Sequence, residues 1–204
     1  MTTWQPNATF GGVIDVSHWN GIINWPIVPA SITMVMIKAT QGASGVDPMF
    51  AANREGALDT GRMVVPYHFL TAEDVGKQAA NFLRTTEFGD GKPVMIDWEP
   101  VPPSMVRAPI PIMEAFCQTV EKLIRRSPLT YHGMFDLSSP IINAFPWMIP
   151  KYGPQPQGPK WLFWQDRPNL HVPGIPNLTD HSVFAGTANE LVAWYNTGAM
   201  PKGF

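Results

Sequence analysis

Asp97 and Glu99, directly behind the apolar run Val94-Met95-Ile96, are the residues of this chain best spaced for chemistry. Residues two apart on a strand point to one face, so their carboxylates aim the same way. Two like charges held close in a partly buried place push at least one pKa upward, which suits a general acid near neutral pH. Cleavage of a glycosidic bond uses such a pair: one protonated carboxyl on the leaving oxygen and a second group at the anomeric centre. Taken alone, an Asp-x-Glu reads more simply as strand-end polar residues that fix a loop. Context shifts the balance. Asp15 ends an earlier apolar strand in the same manner, and Asp180 follows a Gly- and Pro-rich loop near the last barrel segment. Several acids on one rim, with few lysines or arginines nearby, cost stability, and a functional reason explains them better.

The elements that must carry these residues alternate between strand and helix. Strands are expected at Gly12 to Val16, Met34 to Ile37, Met63 to Phe69, Val94 to Ile96 and Leu129 to Tyr131, with weaker ones near Trp147 to Ile149 and Trp161 to Trp164. A helix after the second strand has Asp47 as its N-cap, Pro48 at its first position and Gly61 as its stop. Further helices are expected over Ala72 to Thr85, Ile110 to Arg126 and Ala188 to Tyr195, with a proline-rich loop through Pro100, Pro102 and Pro103. Such alternation predicts an α/β fold with a parallel sheet, and a count near eight strands predicts a barrel. Because helices thin out in the last third, the expectation is an irregular (β/α) TIM-like barrel rather than a regular eightfold one. The stretch Pro150 to Pro159 is too short to separate domains, so residues 1–204 are read as one catalytic domain without a wall-binding module.

Composition narrows the functions. With 204 residues, 45% hydrophobic and 15% charged, the chain can bury a full core. A net charge of −2 gives no electrostatic case for nucleic acid or an anionic membrane. No apolar run approaches the length of a membrane span, and the opening Met1 to Pro6 lacks the basic and apolar regions of a secretory leader. The expectation is therefore a chain made in the cytoplasm, a monomer without membrane insertion. Eight tryptophans are many for this length, and aromatic faces also serve as platforms for sugar rings.

Other reactive residues read as structural. Cys117 lies in an apolar helix and is expected to be a buried, inert thiol. His18, His68, His132, His171 and His181 show no metal-ligand spacing, so neither metal nor cofactor is expected, and His68 reads as a hydrogen-bonded core or rim residue. Arg125-Arg126 reads as a solvated helix end. Neither a phosphate-cradling glycine loop nor a Gly-x-Ser-x-Gly elbow occurs.

Five blocks together resemble the family 25 glycoside hydrolases, the Chalaropsis-type lysozymes. They are Ile14-Asp15-Val16-Ser17-His18-Trp19-Asn20-Gly21, Ile37-Lys38-Ala39-Thr40-Gln41-Gly42, Tyr67-His68-Phe69, Ile96-Asp97-Trp98-Glu99, and Trp164-Gln165 with Asp180. They fall in family order over nearly the whole chain. The resemblance implies a flattened β/α barrel that cleaves the β-1,4 bond between N-acetylmuramic acid and N-acetylglucosamine in peptidoglycan strands. It implies Glu99 as general acid/base, Asp97 as the group that orients the 2-acetamido group or assists the anomeric centre, and Asp15 and Asp180 as the rest of an acidic cleft. Tyr67 and Tyr131 would lie beside the −1 sugar, with Trp98, Trp19 and Trp164 as sugar platforms, a plain core role standing equally for Trp164. Gln41 and Ser182 depart from the family's usual Glu and Asn, which bears on tuning rather than on the central chemistry.

The expected role is host-cell lysis, as in a phage endolysin that acts on the wall after holin-dependent release. Two other readings stand beside it: a non-catalytic glycan-binding barrel, and a related hydrolase of chitin. The presence of all four acids favours an enzyme.

Overall fold

The computed structural model describes residues 12–87, 91–133, 138–156 and 161–204. The residues at the N-terminus that bear on a leader, and the end of the Pro150 to Pro159 loop, lie outside this set. The described strands are β1 (Gly12–Val16), β2 (Ile32–Gln41), β3 (Gly45–Val46), β4 (Met63–Phe69), β5 (Met95–Asp97), β6 (Leu129–Tyr131), β7 (Trp147–Pro150), β8 (Phe163–Leu170) and β9 (Thr179–Phe184). They form one sheet in the order β1-β9-β8-β7-β6-β5-β4-β2-β3, and a further β1–β2 pairing closes it into a barrel. The short β3 folds back on β2 as a hairpin outside the ring.

Neighbouring strands of the ring run parallel, except that β9 is antiparallel to both β1 and β8. The helices are α1 (Phe50–Asp59), α2 (Val75–Thr86), α3 (Ile110–Ile124) and α4 (Ala188–Thr197). Long helices therefore follow the early strands, while β7, β8 and β9 are joined without one among the described residues. The expected irregular barrel is what forms. A strand at β9 was not anticipated, because the polar run Thr179-Asp180-His181-Ser182 hides its alternation.

Two cores follow from the period of two along each strand. Ile14, Val35, Ile37, Val64 and Ile96 face outward and pack under Phe82, Met113, Phe116 and Val120 of the helices. Val13, Met34, Met36, Val65, Met95, Leu129, Met148 and Phe163 fill the interior. Leu191 and Trp194 of α4 join that interior cluster, so the last helix plugs the end of the barrel opposite the carboxylates. Cys117 is buried in the outer core, and burial pushes its thiol pKa up, as expected for an inert residue. His68 is likewise internal, held between Thr40 Oγ1 and Gln78 Oε1 and stacked on Phe116.

Two expectations are corrected here. α1 begins at Phe50 rather than Pro48, with Met49 at its N-cap position, and Asp47 stands two residues before that position with its Oδ1 accepting the Met49 N–H at 3.0 Å. Its carboxylate accepts the backbone N–H of His18 at 3.1 Å and pairs with His18 Nδ1 at 2.7 Å, tying the loop after β1 to the turn before α1. The carboxylate thus serves both sides of the rim, with Oδ1 on the local Met49 amide and Oδ2 on His18. Arg126 is also not a solvated helix end. It is buried, and its guanidinium donates to the carbonyls of Gly91, Trp194 and Tyr195. Those last two carbonyls lie at the C-terminal end of α4, where orphaned acceptors and the dipole favour a cation. Among the described residues no helix is long and apolar enough to cross a membrane.

Candidate active site

The strand phase that makes the interior core also builds the cleft. Above Val13, β1 presents Asp15; above Met95, β5 presents Asp97; above Phe163, β8 presents Gln165. Past the end of β5, the Trp98 N–H still donates to the Tyr131 carbonyl at 2.9 Å, so the ladder holds its phase and Glu99 follows Asp97 to the same side. Across the β1–β9 register Asp15 stands directly opposite Asp180. A cavity of about 110 Å3 is lined by Asp15, Tyr67, Asp97, Glu99, Tyr131, Gln165 and Asp180, with Met95 and Met148 as its apolar floor. The four carboxylates expected from three separate stretches of sequence therefore share one space, and both expected tyrosines are there with them.

The tryptophans divide. Period two turns Trp98 outward when Asp97 and Glu99 turn inward, so it is only 1% exposed and its Nε1 donates to the Ala108 carbonyl at 2.8 Å. Trp164 is turned outward between Phe163 and Gln165 in the same way. It is 8% exposed, packs edge-on to Trp161 and donates to the Lys151 carbonyl. Neither presents a face to the cleft, which corrects the expectation of a sugar platform at Trp98 and leaves Trp164 with its core role. Trp19 does present one: it is 74% exposed on the turn after β1, with His18 against it at 4.4 Å between centroids.

Several contributors were not singled out from sequence. Gln165 is the hub of the cleft: its Nε2 donates to Asp15 Oδ2 at 3.0 Å, and its Oε1 accepts from Tyr131 Oη at 2.9 Å and Tyr152 Oη at 3.3 Å. The period-two phase from Phe163 could have found it; Tyr152 sits in a loop and carries no such signal. Two cations also flank the four acids. Lys38 and Arg107 each lower the charging cost of Asp97, and Arg107 does so for Glu99 as well. Arg107 lies beyond the Val101–Val106 bridge of the proline-rich loop, with its guanidinium 5.1 Å from the centroid of Trp98.

Burial dominates the electrostatics. It raises Asp97 well above the ordinary carboxylate range; Glu99 and Asp15 push the same way, against Lys38 and Arg107. Glu99 is raised by burial and by Asp180, with Arg107 opposing. Asp15 is pushed up to about 7 by burial, then by Asp180 and Glu99, although the Gln165 amide favours its charged form. The cleft thus holds protonated carboxyl at pH values where exposed carboxylates are ionised, which general-acid chemistry requires. One acceptor is unused: Asp97 Oδ1 is buried with no hydrogen-bond partner. Such an atom is costly unless something with a donor binds there.

These shifts make a stability prediction. A native carboxyl that holds its proton more tightly than the unfolded one loses stability as pH rises from the unfolded value, near 4, to the folded value of about 7. Asp15→Asn does not titrate, so it is expected to match wild type near pH 4 and to exceed it by on the order of 4 kcal/mol above pH 7. Urea unfolding at pH 4.5 and 8 measures this, and an equal difference at both pH values would refute the raised pKa.

Among the described residues no group of three His, Cys, Asp or Glu side chains could hold a metal ion.

The comparisons with known proteins agree with the geometry. The family model described as Glycosyl hydrolases family 25 matches residues 14–175. The uncharacterized protein YegX of Escherichia coli K12 is 30% identical over 195 residues, covering 89% of this chain and 72% of that protein. Lysozyme M1 of Streptomyces globisporus is 27% identical over 210 residues, covering 91% and 71%. Among solved structures, the bacterial lysozyme of Streptomyces coelicolor superposes with a TM-score of 0.77 at 24% identity, covering 95% of this chain and all (100%) of that one. A muramidase from Trichobolus zukalii gives 0.77 at 21% identity, covering 92% and 99%. Matched over most of its length by the family model, this chain belongs to family 25 of the glycosyl hydrolases.

Proposed function

We propose that the chain is an N-acetylmuramidase that hydrolyses the β-1,4 bond between N-acetylmuramic acid and N-acetylglucosamine of peptidoglycan. The observation that carries this reading is the convergence of Asp15, Asp97, Glu99 and Asp180 on one small cavity. Glu99 is partly buried and raised, with its carboxyl open to the cavity, which suits the acid that protonates the leaving oxygen and then the base that activates water. Asp97 Oδ1 awaits a donor, and the N–H of a 2-acetamido group would supply one, turning that group's oxygen toward the anomeric carbon. Asp97 thereby acts as the orienting partner of the substrate's own acetamido group, and retention of configuration follows. Asp15 and Asp180 hold the field that keeps a proton on the cleft, with Asp15 set by Gln165. Tyr67 and Tyr131 wall the sugar at the reacting subsite, and the open face of Trp19 serves a more distant ring.

Reducing-end release from purified sacculi and from chitin oligomers tests the substrate. Muramic-acid reducing ends from sacculi, with chitin left intact, are the expected result; release from chitin alone would replace the muramidase reading with a chitinase one. Tight binding to sacculi without release from either would favour a glycan-binding barrel.

A further inference from the structure

The larger cavity on the carboxylate rim is not the one that holds the carboxylates. A space of about 300 Å3 opens between β3 and the turn after β4, and Lys38, Gln41, Val46, Asp47, Thr71 and Glu73 are among its walls. We propose that this cavity receives the peptide stem carried by the muramic acid of the substrate, with Lys38 taking a stem carboxylate and Glu73 a stem amine. The proposal rests on the muramidase reading of the neighbouring cleft.

Position is the first argument. Lys38 on β2 is registered against Tyr67 on β4, and Tyr67 lines the carboxylate cleft. Asp97 lies on the next strand, β5. Two strand spacings are about 10 Å. A stem that leaves the sugar through a lactyl ether and advances ~3.5 Å per residue enters the cavity within its first two residues.

Chemistry is the second argument. A neutral sugar site offers an aromatic face, and among the described residues the only aromatic ring on these walls, His18, is engaged by Asp47 and by Trp19. What the walls offer instead is a fixed cation and a fixed anion. The Lys38 ammonium donates to Gln41 Oε1 at 2.8 Å and lies 4.7 Å from the centroid of the Phe69 ring. Its hydrogen-bond partner is thus a neutral amide oxygen, and Asp97 and Asp47 act on the ammonium only through space. Glu73 is held by the Ala43 N–H and the Thr71 hydroxyl, both 2.9 Å from Oε2, and these bonds keep its carboxyl below the ordinary range. Gly42 makes room for it: a Cβ there would stand 2.1 Å from Glu73 Oε2, and its φ of +59° also favours glycine. A stem peptide has the matching pattern, with a free carboxylate on its γ-linked glutamate and, one residue on, the amine of a diamino acid. Charge-assisted hydrogen bonds of this kind are the strong ones.

The test compares two substrates and two variants of the full chain. The substrates are soluble glycan strands with their stems and the same strands stripped of stems by an amidase. Gln41→Glu sets a carboxylate on Lys38, and Glu73→Gln removes the anion; neither residue lines the carboxylate cleft. Wild type is expected to show kcat/KM about tenfold higher on the stem-bearing strands. Each variant is expected to lose most of that preference through KM. Glu73→Gln leaves kcat and the rate on stripped strands unchanged, whereas for Gln41→Glu the ratio between the two substrates is the readout, because Lys38 also acts on Asp97. No wild-type preference would overturn the proposal, as would an equal loss on both substrates in Glu73→Gln, which would mark a sugar subsite. Titrating the Glu99→Gln variant with the disaccharide and with the disaccharide-tripeptide reads the cavity without turnover. Tighter binding of the disaccharide-tripeptide supports the proposal, and equal affinity overturns it. Failure of wild type to cleave either strand preparation would instead count against the muramidase reading.

Discussion

Replacing Glu99 by glutamine is expected to lower turnover on purified sacculi by about 10²–10⁴-fold while leaving unfolding unchanged or slightly harder. The side chain keeps its size and its place beyond β5, so only the titrating proton is lost. Glu99 is partly buried, and burial and Asp180 raise it against Arg107. A glutamine removes that charging cost along with the function. Reducing-end release with wild type and variant in parallel measures the effect, with circular dichroism and urea unfolding as controls on the fold. A folded variant at near wild-type rate would remove Glu99 from the acid/base role. The activity of wild type is expected to fall on the alkaline side as Glu99 loses its proton, and this limb is expected to vanish from the residual activity of the variant.

Asp97→Asn is the second large effect, with kcat expected to fall about 10²–10³-fold and KM to change little. Asp97 Oδ1 is buried without a partner and lines the cleft, where it can accept an acetamido N–H. An asparagine can place its amide nitrogen at that point, which would repel the donor it should receive. Stability is expected to move the other way. Burial, Glu99 and Asp15 all oppose charge at Asp97, so the neutral variant gains on wild type as pH rises above the unfolded carboxylate pKa, near 4. Lower turnover with a higher urea midpoint at pH 7 is the signature of a group held against its own stability for function. Lower turnover with lower stability would instead make Asp97 a structural residue. A thiazoline that mimics the cyclised acetamido group adds a mechanistic readout: it is expected to inhibit wild type and to lose affinity for Asp97→Asn.

How much of this was legible without coordinates differs from residue to residue. The acidic pair, the interior phase of β1 and β5, the inert Cys117, the internal His68 and the irregular barrel could all be read from the sequence. Each depends on local rules: period two along a strand, apolar runs, and spacing between neighbours. Those same rules, applied strictly, already turn Trp98 and Trp164 away from the cleft, since each stands between two inward residues. The abundance of tryptophan outweighed the phase, and it was the less specific signal.

Other features needed the closed sheet. Asp15 and Asp180 are 165 positions apart in a linear reading, and only the antiparallel β1–β9 register sets them opposite each other. Asp47 holds the local Met49 amide much as a linear reading suggests, but only the fold brings His18 across the rim to its other oxygen. Arg126 looks solvated until α4 presents its C-terminal carbonyls. Gln165 connects Asp15 to Tyr131 and Tyr152, three partners from three other parts of the chain. The sequence by itself determined which side chains each strand turns inward and which residues can hold a proton. The tertiary structure alone decided which of them meet, how deeply they are buried, and where their pKa values lie. Burial and like-charge proximity act through space, and a linear pattern carries neither.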